Sequence, residues 1–77
     1  MTRIVIELKN QPKRSLTPLA GQGLEEALLA YAPQLRGLEP TQVLVQEYDP
    51  GLPTRFRYTP APHLLERLAR ALEDAHA

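Results

Sequence analysis

Arg3-Ile4-Val5-Ile6-Glu7-Leu8-Lys9-Asn10-Gln11-Pro12-Lys13-Arg14-Ser15 is the stretch on which the fold turns. Ile4, Ile6 and Leu8 alternate with Arg3, Val5, Glu7 and Lys9, the two-residue period of a strand with one buried face. From Asn10 to Ser15 the apolar positions stop, and Pro12 has no N–H to give to a sheet ladder. The reading is one strand, ended at Asn10 and followed by a polar connection.

Downstream, Thr17-Pro18 suits a short capped turn with Pro18 at the first helical position, interrupted by Gly21 and Gly23. A helix is expected from near Gly23, with Leu24, Ala27, Leu28, Tyr31 and Leu35 on one face. Pro33 should end or kink it near Ala32, and Gly37 closes the segment. Gln42 to Tyr48 reads as a second strand, with Val43 and Val45 toward the core. Asp49-Pro50-Gly51 suits a type II turn in a hairpin loop. Thr54 to Tyr58 returns as a third strand, with Phe56 and Tyr58 inward and Arg55 and Arg57 outward. Thr59 is the candidate N-cap of a last helix, entered through Pro60-Ala61-Pro62. Its buried stripe is Leu65, Leu68 and Leu72, helped by Leu64 and Ala75. No internal repeat and no low-complexity segment interrupts this order.

The order β-α-β-β-α over residues 1–77 describes one small α+β domain. A right-handed crossover makes the first two strands parallel, and the hairpin makes the third antiparallel to the second. The third strand then inserts between the others, giving a three-stranded mixed sheet with two helices on one face and the first strand at an edge. This resembles the split β-α-β of ferredoxin-like folds without the fourth strand. Many functions use that architecture, so the functional reading rests on particular residues.

Composition is that of a globular chain, with 43% apolar and 23% charged residues. Nine basic residues balance nine acidic ones, which argues against a protein that coats nucleic acid or an anionic membrane. The absence of cysteine removes disulfides, thiolate nucleophiles and cysteine-based metal sites, and fits a cytosolic setting better than a secreted one. The chain enters a strand at once, without an apolar leader, and no stretch is long enough to span a membrane. Arginine outnumbers lysine and proline abounds, a bias expected of a high-GC bacterial genome and compatible with a thermophile.

The search for chemistry finds little. Ser15 is the lone serine and has no Gly-x-Ser-x-Gly context, although His63, His76, Asp49 and Asp74 supply triad residue types. His63 with Glu66, and Glu73 with His76, are i, i+3 pairs on the last helix, without the further carboxylates that a di-metal site needs. Gly21-Gln22-Gly23 precedes a helix, but Glu26 stands where a dinucleotide fingerprint has its third glycine. The expectation is no catalytic residue, no metal and no cofactor.

The informative constellation is the sheet face turned away from the helices, expected to display Arg3, Val5, Glu7, Lys9, Leu44, Gln46, Tyr48, Arg55 and Arg57. The leading functional reading is a cytosolic, non-enzymatic interaction module acting as a homodimer or accessory subunit. Its contacts would be the edge of the first strand or the open face, with Arg3, Val5, Leu44, Tyr48, Arg55 and Arg57. A second reading is an RNA- or single-stranded-DNA-binding module using that face, with Lys13 and Arg14 extending it. Against the second stand the zero net charge and a single aromatic, Tyr48, placed for stacking. A minor metabolic enzyme with a site between subunits comes third.

Overall fold

The polar run after Asn10 is itself a strand. In the computed structural model, which describes residues 2–75, the chain forms β1 (Thr2–Leu8), β2 (Gln11–Leu16), α1 (Leu24–Tyr31), a 3-10 turn (Ala32–Leu35), β3 (Pro40–Tyr48), β4 (Phe56–Pro60) and α2 (Pro62–Ala75). All neighbouring strands are antiparallel, in the order β2-β1-β3-β4, so the sheet has four strands and not the expected three of mixed direction.

The correction has a local cause. Asn10 takes the left-handed φ of 60°, which asparagine tolerates better than most residues, and turns the chain back on itself. Val5 then faces Ser15 and Ile6 faces Arg14. Pro12 is accommodated because β2 is an edge strand, where a missing N–H can point to solvent. With the direction already reversed, the crossover through α1 brings β3 in antiparallel to β1. The split β-α-β is present, but it is β2-α1-β3 with β1 between its strands, and β1 lies in the interior of the sheet. Pairing through a free edge of β1 is therefore excluded.

Alternation along β1 and β3 puts Ile4, Ile6, Leu8, Val43 and Val45 under the helices. Ala27, Leu28 and Leu35 from the first helical segment, and Leu64, Leu68 and Leu72 from α2, complete the core. Pro33 ends α1 at Tyr31 and tightens the following turn into 3-10 geometry, as expected of a proline there. At α2 the N-terminal assignment shifts. Thr59 belongs to β4, opposite Val45, and Pro62 occupies the first helical turn instead. The carbonyl of Ala61 accepts the N–H groups of Leu64 and Leu65 at 3.0 and 3.1 Å. The buried stripe runs through Leu64, Leu68 and Leu72, while Leu65 is half-buried and the side chain of Ala75 lies outside the described residues.

The Asp49 loop differs in type. Leu52 N–H bonds the Asp49 carbonyl at 3.2 Å, closing the turn over Pro50-Gly51. Gly51 does not take the positive φ that a type II turn requires. The Asp49 side chain holds the turn instead, accepting the Gly51 N–H on Oδ1 at 3.0 Å.

The hairpin through Asn10 is testable by backbone preference. Asn10→Gly should leave the urea midpoint nearly unchanged, whereas Asn10→Val should lose about 1–2 kcal/mol, the cost of a branched residue in the left-handed region. Equal midpoints for the two variants would mean that β2 is not held by this turn.

Candidate functional site: the open face of the sheet

Register decides what the uncovered face displays. Ladder pairs share a face, so rows can be followed across the strands. One row is Ser15, Val5, Leu44 and Pro60. A second is Arg3, Gln46 and Tyr58, and a third pairs Tyr48 with Phe56. None of these residues belongs to the core beneath the helices.

Phe56 and Tyr58 thus stand on the open face, contrary to the inward placement expected from their alternation with Arg55 and Arg57. Each β3–β4 pair joins residues of the same parity, Tyr48 with Phe56 and Gln46 with Tyr58, and Val43 and Val45 have already taken the odd positions for the core. The arginines go the other way. Arg57 lies opposite Glu47 on the helix side and donates from Nη2 to Asp49 Oδ2 at 2.7 Å. Arg55 sits in the loop before β4, at φ 67°. Of the expected contact residues, Arg3, Val5, Leu44 and Tyr48 are on the open face, and Arg55 and Arg57 are not in its rows. Lys9 also leaves it, since it lies at the hairpin turn with Nζ 3.8 Å from the Glu39 carboxylate.

Three aromatic side chains are therefore exposed together. Tyr48 is 54% exposed, Tyr58 47% and Phe56 39%. The rings of Tyr48 and Phe56 meet edge to face with centroids 6.1 Å apart. Beside them is a hollow of about 210 Å³ lined by Val5, Lys13, Arg14, Ser15, Gln46 and Tyr58. Val5 is its floor at 4% exposure, so it offers a partner little area and face-to-face packing through Val5 loses its main contact. The Lys13 ammonium, a hydroxyl, an amide and a phenol surround this floor. Arg14, expected to extend the patch, lies opposite Ile6 on the helix-side parity and adds to the rim without belonging to the open-face rows. Such a set donates hydrogen bonds in several directions and suits an anion or a polar base edge.

The charge balance of zero is unevenly distributed. Between them α1 and α2 carry five acids, Glu25, Glu26, Glu66, Glu73 and Asp74, against two bases, Arg67 and Arg70. In the rows of the open face, Glu7 is the one acid among the described residues, set against Arg3 and Lys13.

The remaining candidates are dispersed. Ser15 faces the open side, whereas His63 opens α2 on the opposite layer. His63 and Glu66 are both exposed, and the Glu73–His76 pair lies partly outside the described residues. Among the described residues no three His, Cys, Asp or Glu side chains come together in a metal-binding group. Gly21-Gln22-Gly23 is tied back to Leu19, with Gln22 Oε1 accepting the Leu19 N–H at 3.0 Å and Gln22 N–H bonding the Leu19 carbonyl at 2.9 Å. No helix among the described residues is long and apolar enough to cross a membrane. Comparisons with family models, curated proteins and solved structures each find no match to this chain.

The ring pair gives a direct check on the register. A double-mutant cycle on Tyr48→Ala and Phe56→Ala should yield a coupling of about 0.5–1 kcal/mol in urea unfolding. Additive effects would show that the two rings do not meet and that β4 is paired otherwise.

Proposed function

We propose that this protein is a small, non-catalytic binding module whose working surface is the open sheet face, and that its ligand is single-stranded nucleic acid. The observation that carries the reading is the β3–β4 register, which sets Phe56 and Tyr58 beside Tyr48. Stacking of bases on exposed aromatics is the sequence-tolerant part of single-strand recognition, and each such contact is worth roughly 1–3 kcal/mol. Arg3 and Lys13, on the same face, are placed for phosphates, and the hollow beside Tyr58 suits a phosphate or a base edge.

The two objections raised by the sequence both weaken. Stacking positions number three and not one. The zero net charge is the sum of an acidic helix layer and a face on which bases outnumber acids. A cytosolic setting in a bacterial host completes the proposal, supported by the lack of cysteine and the arginine- and proline-rich composition. The other reading, a homodimer or accessory subunit, is favoured by a separate observation at the β4 edge, which is taken up below.

Anisotropy of labelled oligouridylate and oligothymidylate tests the assignment. Tyr48→Ala, Phe56→Ala and Tyr58→Ala should each weaken binding by about 1–3 kcal/mol with little salt dependence. Arg3→Ala should flatten the logarithmic salt slope by roughly 0.7. Arg57→Ala, whose guanidinium is held by Asp49 on the helix side, should leave that slope unchanged. No binding by the parent at low salt, or equal binding of a duplex of the same length, would retire the proposal.

A further inference from the structure

β4 is exposed along its whole length, Phe56 to Pro60, on both faces and at its outer edge. The opposite edge of the sheet is protected. Along β2, Pro12 cannot donate, and Lys13 and Arg14 would oppose like charges on an incoming copy. On β4 the single cation, Arg57, is already paired with Asp49. α2 packs over β3, which leaves space above β4 for a continuing sheet.

The ladder to β3 tells which backbone groups of β4 point outward. Ala61 N–H bonds the Val43 carbonyl at 2.9 Å, and Asp49 N–H bonds the Arg55 carbonyl at 2.8 Å. In an antiparallel pair the bonded positions alternate, so Arg57 and Thr59 also bond inward. Phe56, Tyr58 and Pro60 present their backbone groups to the outside. Pro60 has no N–H to present. The Phe56 carbonyl is occupied, accepting the Thr54 hydroxyl at 3.0 Å. What remains is the N–H and carbonyl of Tyr58, the N–H of Phe56 and the carbonyl of Pro60.

That set is self-complementary in one register. We infer that two copies of this chain pair antiparallel through β4, with a two-fold axis at Tyr58. Each Tyr58 exchanges both backbone bonds with its mate, and each Phe56 N–H reaches the carbonyl of the mate's Pro60. The proline that lacks a donor then faces the one carbonyl that is already satisfied, so no outward group of β4 is stranded. An axis at Arg57 would set the two Arg57 side chains directly opposite one another. An axis at Thr59 would use Tyr58 N–H and the Pro60 carbonyl but leave both Tyr58 carbonyls without a donor. In the Tyr58 register the open faces of the two copies join, with the two Tyr58 rings adjacent and Phe56 beside the mate's Pro60. On the helix side Arg57 meets the mate's Thr59. The inference does not rest on the ligand reading, because the contact is made by backbone groups of the free protein.

Light scattering without nucleic acid should give a particle of twice the 8.6 kDa chain mass at roughly 100 µM, a concentration suited to a modest interface. The register is read by introduced thiols, since the chain has no cysteine of its own. Tyr58→Cys should cross-link on oxidation about tenfold faster than Thr59→Cys, because directly opposed Cα atoms lie at roughly 5.5 Å and the next pair falls beyond disulfide reach. Thr59→Arg, which sets a cation against the mate's Arg57 in two places, should weaken the dimer about tenfold, and Thr59→Glu should not. Circular dichroism of each variant verifies that the monomer fold is kept. A folded monomer at that concentration, or faster cross-linking at Thr59→Cys, would overturn the inference. An unchanged dimer dissociation constant in Thr59→Arg would overturn it equally.

Discussion

Pairing of β1 with β3, Ile4 against Val45 and Ile6 against Val43, sets what every other element can bury. These side chains form the floor on which Leu28, Leu35, Leu64 and Leu68 rest, and among them Ile4, Ile6, Leu28, Leu35 and Leu68 are fully enclosed. A chain of 77 residues has one core, and a shift of one position along this ladder would exchange its floor for Arg3, Val5 and Glu7. Once the floor is fixed, the parity of both outer strands follows from their turns. The Asn10 turn sends Leu16 and Arg14 to the helix side, and the Asp49 loop sends Arg57 and Thr59 there. The aromatics of β4 are left on the open face by counting, not by affinity for water.

This explains which parts of the fold were legible in sequence. Strands β1 and β3, the break at Pro33 and the lower leucines of α2, Leu68 and Leu72, are stated by periodicity and by proline chemistry, which act within a few residues, whereas Leu64 and not Leu65 heads that stripe. Strand β2 was hidden because Gln11-Pro12-Lys13-Arg14-Ser15-Leu16 lacks the alternation of a half-buried strand. An edge strand at the rim of a small core has little to bury, so its pattern is faint and a proline does not forbid it. Losing β2 also misplaced β1 at an edge, since the direction of the whole crossover depends on that hairpin. On the open face, Arg3, Val5, Leu44 and Tyr48 were found because they lie on strands read in the right phase. Phe56 and Tyr58 were missed because large aromatics are usually buried, a tendency that ladder parity overrides here. The loop residue Arg55, at positive φ, breaks the alternation on which the outward reading of Arg57 relied.

Net charge conceals more than it reveals in so small a protein. Glu25 and Glu26 suit the positive end of the α1 dipole, and Glu25 also accepts from Arg67 Nε at 3.3 Å, tying α1 to α2. These acids answer to the architecture of the helix layer. Their sum with the bases of the sheet carries no information about the sheet's own field, since exposed charges interact over only about 8–10 Å at ordinary salt. The thickness of the domain is enough to separate the two layers, so the ligand proposed for the open face would meet Arg3 and Lys13 with Glu7 and little of the helix acids.

The topology repeats even though the sequence shows no repeat. β1-β2-α1 and β3-β4-α2 are each a hairpin followed by a helix, and the two units meet at their first strands in the middle of the sheet. Leu24 and Leu28 recur as Leu64 and Leu68 in the same role, packing a helix onto the sheet, which is what such a unit requires of its helix. The two halves differ in hairpin and helix length, and their outer strands differ in composition and exposure. β2 carries Pro12, Lys13 and Arg14 and is guarded against other chains, whereas β4 carries Phe56 and Tyr58 and is bare. Folding alone makes the same demand of both edges, namely to avoid indiscriminate pairing. A strand that departs from that demand while its counterpart obeys it is where a use for exposure should be sought, and the stacking surface and the self-pairing edge proposed above both belong to that one strand.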